Sequence, residues 1–242
     1  MTLNDLSQYT FKTLRHDMAP RVKHEVEFAL PSMPMVEACR ADDFDFFRPA
    51  IAAGRLTVPQ MQHACLRYLL GKTSSGHPIF WMIDDMFMPQ DARIARPAAA
   101  DTWLSLLLKA REPLIGCWRP VHCLFGLHLA QSEVSKPVCV VESEASAVVL
   151  SALFPESLWM AYVSVPHLTV DLFAPLQGRT VIVYPRTDPA QDTYIFFLDL
   201  AADIRRAYPD IYITVDPVLE NNATDEQKQR KIDLLDFLTD PP

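Results

Sequence analysis

Apolar positions along the chain change their spacing near residue 137, and the two patterns predict different elements. Before that point the signals are mixed. Residues 1–36 carry Pro20, Pro31 and Pro34, which break any long helix, and read as an irregular arm. From Met35 to Leu70 the spacing is helical, with Asp42-Asp43 standing as a cap before Phe44, Phe46 and Phe47. Val58-Pro59 opens a second helix, with Met61, Cys65, Leu66 and Leu69 on one face and Gly71 ending it. His77–Asp84 reads as a strand after a Ser75-Gly76 turn, and residues 86–97 as a loop. Ala98–Lys109 suits a helix that turns Trp103, Leu104, Leu106 and Leu107 to a core. Pro113–Leu129 is apolar without a clear period, punctuated by Gly116 and Gly126.

After Pro137 short apolar runs alternate with helical stretches. Val138–Val141, Leu158–Val163, Thr180–Tyr184 and Ile211–Val215 read as strands. Between them fall a helix over Ser143–Leu153, a short helix or turn over His167–Leu176, and a long helix over Asp192–Tyr208. Such alternation implies a parallel sheet flanked by helices, an α/β architecture. Thr224 caps a last helix running to about Leu238, whose stripe of Ile232, Leu235 and Phe237 or Leu238 docks on the body.

The 242 residues, half of them hydrophobic, can bury a substantial core, and no run of apolar residues is long enough for a membrane span. Nor does the polar segment Met1–Thr10 have a secretory pattern. Cys39, Cys65, Cys117, Cys123 and Cys139 form no CxxC pair and mostly neighbour apolar residues, so buried free thiols and a cytoplasmic setting are expected. Charge divides unevenly. Residues 1–136 hold 15 Lys+Arg and 14 Asp+Glu, and residues 137–242 hold 7 and 16, which together give the net charge of −8. An acidic half repels a phosphate backbone unless a metal ion or a basic neighbour intervenes, so charge makes no general case for nucleic-acid binding.

Ligands of open parallel sheets bind beyond the C-terminal ends of the strands. Those ends here offer Glu142 and Glu144 after the first strand of this half, and Arg186 and Asp188 after the third. Carboxylates from two strand ends are the donors of an oxygen-rich Mg²⁺ site, which can activate a hydroxyl and stabilise a phosphate in transfer. Other candidates have plain readings. Asp84-Asp85 end a strand, and His122 and His128 flank an apolar stretch. Gly71-Lys72-Thr73 lacks the first glycine of a phosphate loop, since Leu66 stands there, and no GxSxG elbow occurs. The cations Lys12, Arg15, Arg21 and Lys23 are diluted by Asp17, Glu25 and Glu27 and read as a solvated face.

The segment Val140-Val141-Glu142-Ser143-Glu144-Ala145-Ser146-Ala147 resembles the first motif of Toprim domains, a strand followed by a characteristic glutamate. More closely it resembles a Toprim-like family of uncharacterised, primase-related proteins of bacterial mobile elements, whose members read VESEKTA at this point. Gly71-Lys72 through Phe80–Asp84, Cys123–Leu129, and Gly178–Val181 leading to Tyr184-Pro185 match the same pattern in order, over about residues 40–215. The resemblance implies a mixed α+β primase-core-like region over residues 37–136. It implies a Toprim-like α/β domain with a C-terminal helix over residues 137–242, and a setting in DNA replication or mobilisation. It also implies catalytic or metal-binding roles for Glu142, Glu144 and Asp188, with Mg²⁺ the cofactor of an active site.

Departures from the pattern bear on that chemistry. The lysine after ESE is Ala145, the glycine pair after the second strand is Val163–Pro166, and the glutamate of the FGEHL-like segment is Leu127. Arg186 replaces the first acid of the DxD-type motif, leaving Asp188 at the second acidic position. No cysteine pairing supports the upstream zinc ribbon common in primases. A guanidinium in place of a carboxylate repels a cation, so Arg186 is expected to pair with Glu142 or Glu144 and the acidic site to be vestigial, with no cofactor. Three readings follow: a non-catalytic binding or accessory protein partnered by nucleic acid or a replication or mobilisation protein; an active Mg²⁺-dependent nucleotidyl transferase or nuclease; and an acidic adaptor that binds a protein through the N-terminal arm.

Overall fold

The computed structural model describes residues 31–96, 102–105, 122–163, 165 and 168–239. The arm at 1–30, the segment 106–121 and Cys117 lie outside them.

The first helical stretch is broken up by its aromatic residues. Helix α1 (Met33–Ala38) has Pro34 in its first turn, and a 3-10 turn at Asp45–Phe47 leads into α2 (Arg48–Ala52). Asp42 and Asp43 do not cap it; Phe44 occupies that position in extended backbone. Phe46 stacks on both Phe44 and Phe47, at 5.4 and 4.9 Å between ring centroids, and this packing outweighs a continuous helix.

Helix α3 (Val58–Arg67) begins with a capping box in which Thr57 and Gln60 satisfy each other's amides. Its buried face is Met61, Ala64 and Cys65, while Leu66, expected inside, is 48% exposed. The helix ends at Tyr68 and Leu69, the latter at φ 54°, and Gly71 starts the next element instead. A Cβ at Gly71 would meet Trp81 Nε1 at 3.0 Å and Cys39 at 3.2 Å, so close packing explains the glycine.

Strands β1 (Gly71–Lys72), β2 (Pro78–Ile83), β3 (Pro89–Ile94) and β4 (Thr102–Trp103) form an antiparallel sheet in that order. Two expectations are corrected here. Residues 86–97 are not all loop: the stretch 86–88 turns the chain and Pro89–Ile94 pairs along β2. Asp84 makes that turn by accepting the amides of Met86 and Met88, each at 2.9 Å. Thr102 and Trp103, expected in a helix, lie in β4 opposite Ile94 and Arg93; the remainder of that helix falls outside the described residues except for Leu104 and Ser105.

The C-terminal half follows the expected alternation. Strands β5 (Val138–Val141), β6 (Leu158–Ala161), β7 (Thr180–Val183) and β8 (Tyr212–Val215) are all parallel, in the order β6-β5-β7-β8. Helix α4 (Glu144–Leu153) links β5 to β6, a 3-10 helix at Val170–Leu176 precedes β7, and α5 (Asp192–Ala207) links β7 to β8. Every residue of β5 and β6 is buried, as strands covered on both faces must be. After β8 come α6 (Val218–Asn222), α7 (Asp225–Arg230) and α8 (Leu234–Thr239). The single final helix is thus two, because Lys231 takes a left-handed conformation at φ 55°, ψ 50° between them. Among the described residues no helix is long and apolar enough to cross a membrane.

One buried cluster spans both sheets, from Phe44, Phe47, Tyr68 and Phe80 to Phe125 and the strands β5–β7, and a second joins Val36 and Leu69 to Ile79, Trp81, Ile83 and Ile94 of the antiparallel sheet. Tyr68 donates its hydroxyl to the Trp159 carbonyl at 2.6 Å, and Phe125 forms a two-way bridge with Ala161. Gly126, at φ 86°, sits where a Cβ would lie 3.0 Å from the Tyr68 ring. The connection between the sheets is braced by Arg179, whose guanidinium donates to the carbonyls of Ala130, Glu133 and Lys136 at 2.8–2.9 Å. The Glu133 side chain in turn accepts both Arg67 and Lys136. Cys39, Cys65, Cys123 and Cys139 are in no disulfide, and burial pushes Cys65 up to about 12.

Candidate functional site

In the strand order β6-β5-β7-β8 the chain leaves β5 toward one side and returns as β7 on the other. A crevice opens at such a switch point, beyond the C-terminal ends of the two central strands. The residues found there are Glu142 after β5 and Arg186 after β7, with the first turn of α4 above them.

Arg186 Nε lies 3.2 Å from Glu142 Oε2. The contact is an ion pair without hydrogen-bond alignment, since that buried Nε has no hydrogen-bonded acceptor. Burial holds the Glu142 carboxyl above its ordinary pKa; Arg186 opposes the shift, and the nearby Asp233 and Glu144 add to it. Both partners remain partly open to solvent, so screening keeps the pair modest in energy.

Glu144 is placed differently. At 1% side-chain exposure it points back to the antiparallel sheet, where Arg93 of β3 holds it by two parallel hydrogen bonds, Nε to Oε1 at 2.6 Å and Nη2 to Oε2. Asp188 is also occupied. Its Oδ1 accepts the amides of Ala190 at 3.0 Å and Asp192 at 3.1 Å, and its Oδ2 that of Thr193 at 2.9 Å. These bonds close the open N-terminus of α5, where Gln191 at φ 61° offers no side-chain cap. Burial alone would raise the Asp188 carboxyl; the amides more than reverse that and hold it below the ordinary value.

The structure therefore brings Glu142 and Arg186 together and commits Glu144 and Asp188 elsewhere. As arranged, they do not fit a divalent-cation site: one carboxylate faces a guanidinium, one is held on both oxygens by another guanidinium, and one serves a helix end. Among the described residues no other group of His, Cys, Asp or Glu side chains is arranged to hold a metal ion.

Several residues of this site escaped sequence reasoning. Asp233, just ahead of α8, accepts the Ser146 hydroxyl from α4 and the Asp236 amide at 3.0 Å, and burial raises its carboxyl. The spacing Asp233-x-x-Asp236 is a helix-start signal that marks it in retrospect. Tyr162, directly after β6, is buried with no aligned partner for its hydroxyl, and burial, Glu142 and Asp233 push its pKa well up against the pull of Arg186. Thr187 is fully buried; its amide donates to the Ile232 carbonyl at 3.0 Å, and its hydroxyl has no partner. Neither residue carries a sequence signal.

Solved primase structures share a partial likeness in fold. The primase fragment of the bacteriophage T7 primase-helicase protein is 12% identical at a TM-score of 0.42, over 71% of this chain and 69% of that one. The E. coli primase catalytic core is 14% identical at a TM-score of 0.42, over 97% and 80%. A DnaG primase catalytic domain bound to ssDNA is 12% identical at 0.41, over 98% and 82%. At such TM-scores the likeness bears on neither the site nor its activity. No curated protein matches the sequence. The model of a family described as a domain of unknown function, DUF6371, matches residues 53–187, which takes in Arg93, Glu142, Glu144 and Arg186 and stops one residue short of Asp188. That match spans more than half of the 242 residues, and the chain belongs to the DUF6371 family.

Proposed function

We propose that this protein is a Toprim-like domain with a retired acidic site, a non-catalytic binding or accessory component in DNA replication or mobile-element maintenance. The observation that carries the reading is the Arg186–Glu142 ion pair, which sets a permanent cation against the carboxylate that a metal would need. The engagement of Glu144 by Arg93 and of Asp188 by the amides of α5 supports it, because recovering either ligand means breaking a structural contact. The replication setting rests on the sequence motifs of residues 71–84, 123–129, 140–147 and 178–185.

Thermal melting with millimolar Mg²⁺ or Mn²⁺ tests the first half of the reading. An unchanged midpoint is expected; a rise that Glu142→Gln removes overturns it in favour of an active metal-dependent transferase or nuclease. Fluorescence anisotropy of a labelled single-stranded oligonucleotide tests the second. Nucleic acid as the partner gives binding that weakens steeply with salt; no binding at low salt rejects it and leaves a replication or mobilisation protein.

A further inference from the structure

The stretch from Ile232 to Thr239 packs beside the crevice at the ends of β5 and β7, through Thr187 and Ser146, and its polar attachments are few. Ile232 and Leu234 are buried, with Leu235 and Leu238 packed partly against the core. Polar ties are the Thr187 amide to the Ile232 carbonyl, the Ser146 hydroxyl to Asp233, and the exposed Arg55 guanidinium to the Leu238 carbonyl. Upstream, α7 buries no residue at all, and the exposed Lys231 takes the left-handed backbone that side chains rarely adopt.

The closed arrangement is also electrostatically imperfect. Glu142 faces the Arg186 guanidinium, while the nearby Asp233 carboxyl opposes the charge of Glu142. Three buried polar atoms around them have no hydrogen-bond partner: the Tyr162 hydroxyl, Arg186 Nε and the Thr187 hydroxyl. Buried groups of a permanent core are almost always paired. Here three of them cluster beneath one short segment, an arrangement consistent with a surface that is covered for part of the time.

We propose that residues 232–239 form a strap hinged at Lys231, which covers the crevice at the ends of β5 and β7 and opens as a unit to admit a ligand to Glu142, Tyr162 and Thr187. The purpose of the opening rests on the binding role proposed above; the opening itself does not.

Amide hydrogen exchange followed by NMR on the full chain without ligand tests the strap. The Thr187 amide, which donates to Ile232, reports its opening, and the neighbouring Tyr184 amide, which donates to Val140 of β5, reports the sheet. Thr187 should exchange at least about tenfold faster than Tyr184, as a contact broken by local opening does. Ser146→Ala and Leu234→Ala should each speed Thr187 further and leave Tyr184 unchanged. Equal rates for the two amides in the unaltered protein, or equal acceleration of Tyr184 in both variants, would overturn the proposal. Since no ligand is present, this outcome is independent of oligonucleotide binding, which tests the functional role alone.

Discussion

Arg93 Nε donates to Glu144 Oε1 at 2.6 Å, and the second bond of the pair fixes the first turn of α4 to strand β3. Glu144, at the start of the first helix of the parallel half, is thereby a joint between the two sheets. Arg93 also lies over the Phe80 ring, 5.3 Å from its centroid, so its guanidinium is packed as well as paired.

Breaking one side of that joint should unfold the protein far more readily than removing both. Glu144→Ala removes the carboxylate held by the partly buried Arg93 guanidinium and should cost about 3–5 kcal/mol in urea unfolding, whereas Arg93→Met with Glu144→Leu should recover most of the loss. A double variant no more stable than Glu144→Ala would contradict the account.

Asp188 should act as the cap of α5. Asp188→Ala should lose about 1–2 kcal/mol at neutral pH, in the range of N-cap deletions. The Asp188 carboxyl has a folded pKa below its ordinary 3.8. Its contribution is therefore complete above that value and lost as pH falls through the lower folded pKa. Stability curves of the unaltered protein and Asp188→Ala should converge in strong acid; a gap that persists there argues for a packing effect instead.

His128 predicts the opposite chemistry with the same direction of pH dependence. Burial lowers it to about 4 from 6.5, its Nε2 faces the Arg67 carbonyl at 3.3 Å, and Nδ1 is unpartnered. The unfolded chain takes up a proton there that the folded one refuses, so stability falls as pH drops from 6.5 toward 4. His128→Gln should flatten that slope by up to one proton in a comparison of unfolding free energies across the interval.

Gly126→Ala should be costly for two independent reasons. The φ of 86° disfavours any side chain, and the added Cβ meets the Tyr68 ring at 3.0 Å. Backbone strain alone costs about 1–3 kcal/mol, and Tyr68 cannot yield without releasing the Trp159 carbonyl. Unfolding of Gly126→Ala in a Tyr68→Leu background, where the ring is gone, should show a smaller penalty.

Much of this fold could be read from short apolar runs. Val138–Val141 and Thr180–Val183 are runs rich in β-branched residues, preceded by Pro137 and by Gly178-Arg179, and the capping residues Thr57 and Thr224 sit where helices begin. Strand β3 could not be read so, because Gln90, Asp91 and Arg93 look like loop residues until their partners Asp84, Ser105 and Glu144 arrive from other segments. Arg186 opposite an acid was legible from its place after β7, but Asp233 and Tyr162 reach the same crevice only through the docking of α8 and the end of β6. Long-range pairing leaves no trace in local spacing.

The Arg179 brace has a consequence for how this chain can be cut and rejoined. Three carbonyls between residues 130 and 136 depend on one guanidinium at the start of β7, so that stretch tolerates neither a new terminus nor an inserted tag. The exposed Ser74–Gly76 turn bears no such dependence, and it is the place to open the chain for a permuted or reporter-fused version.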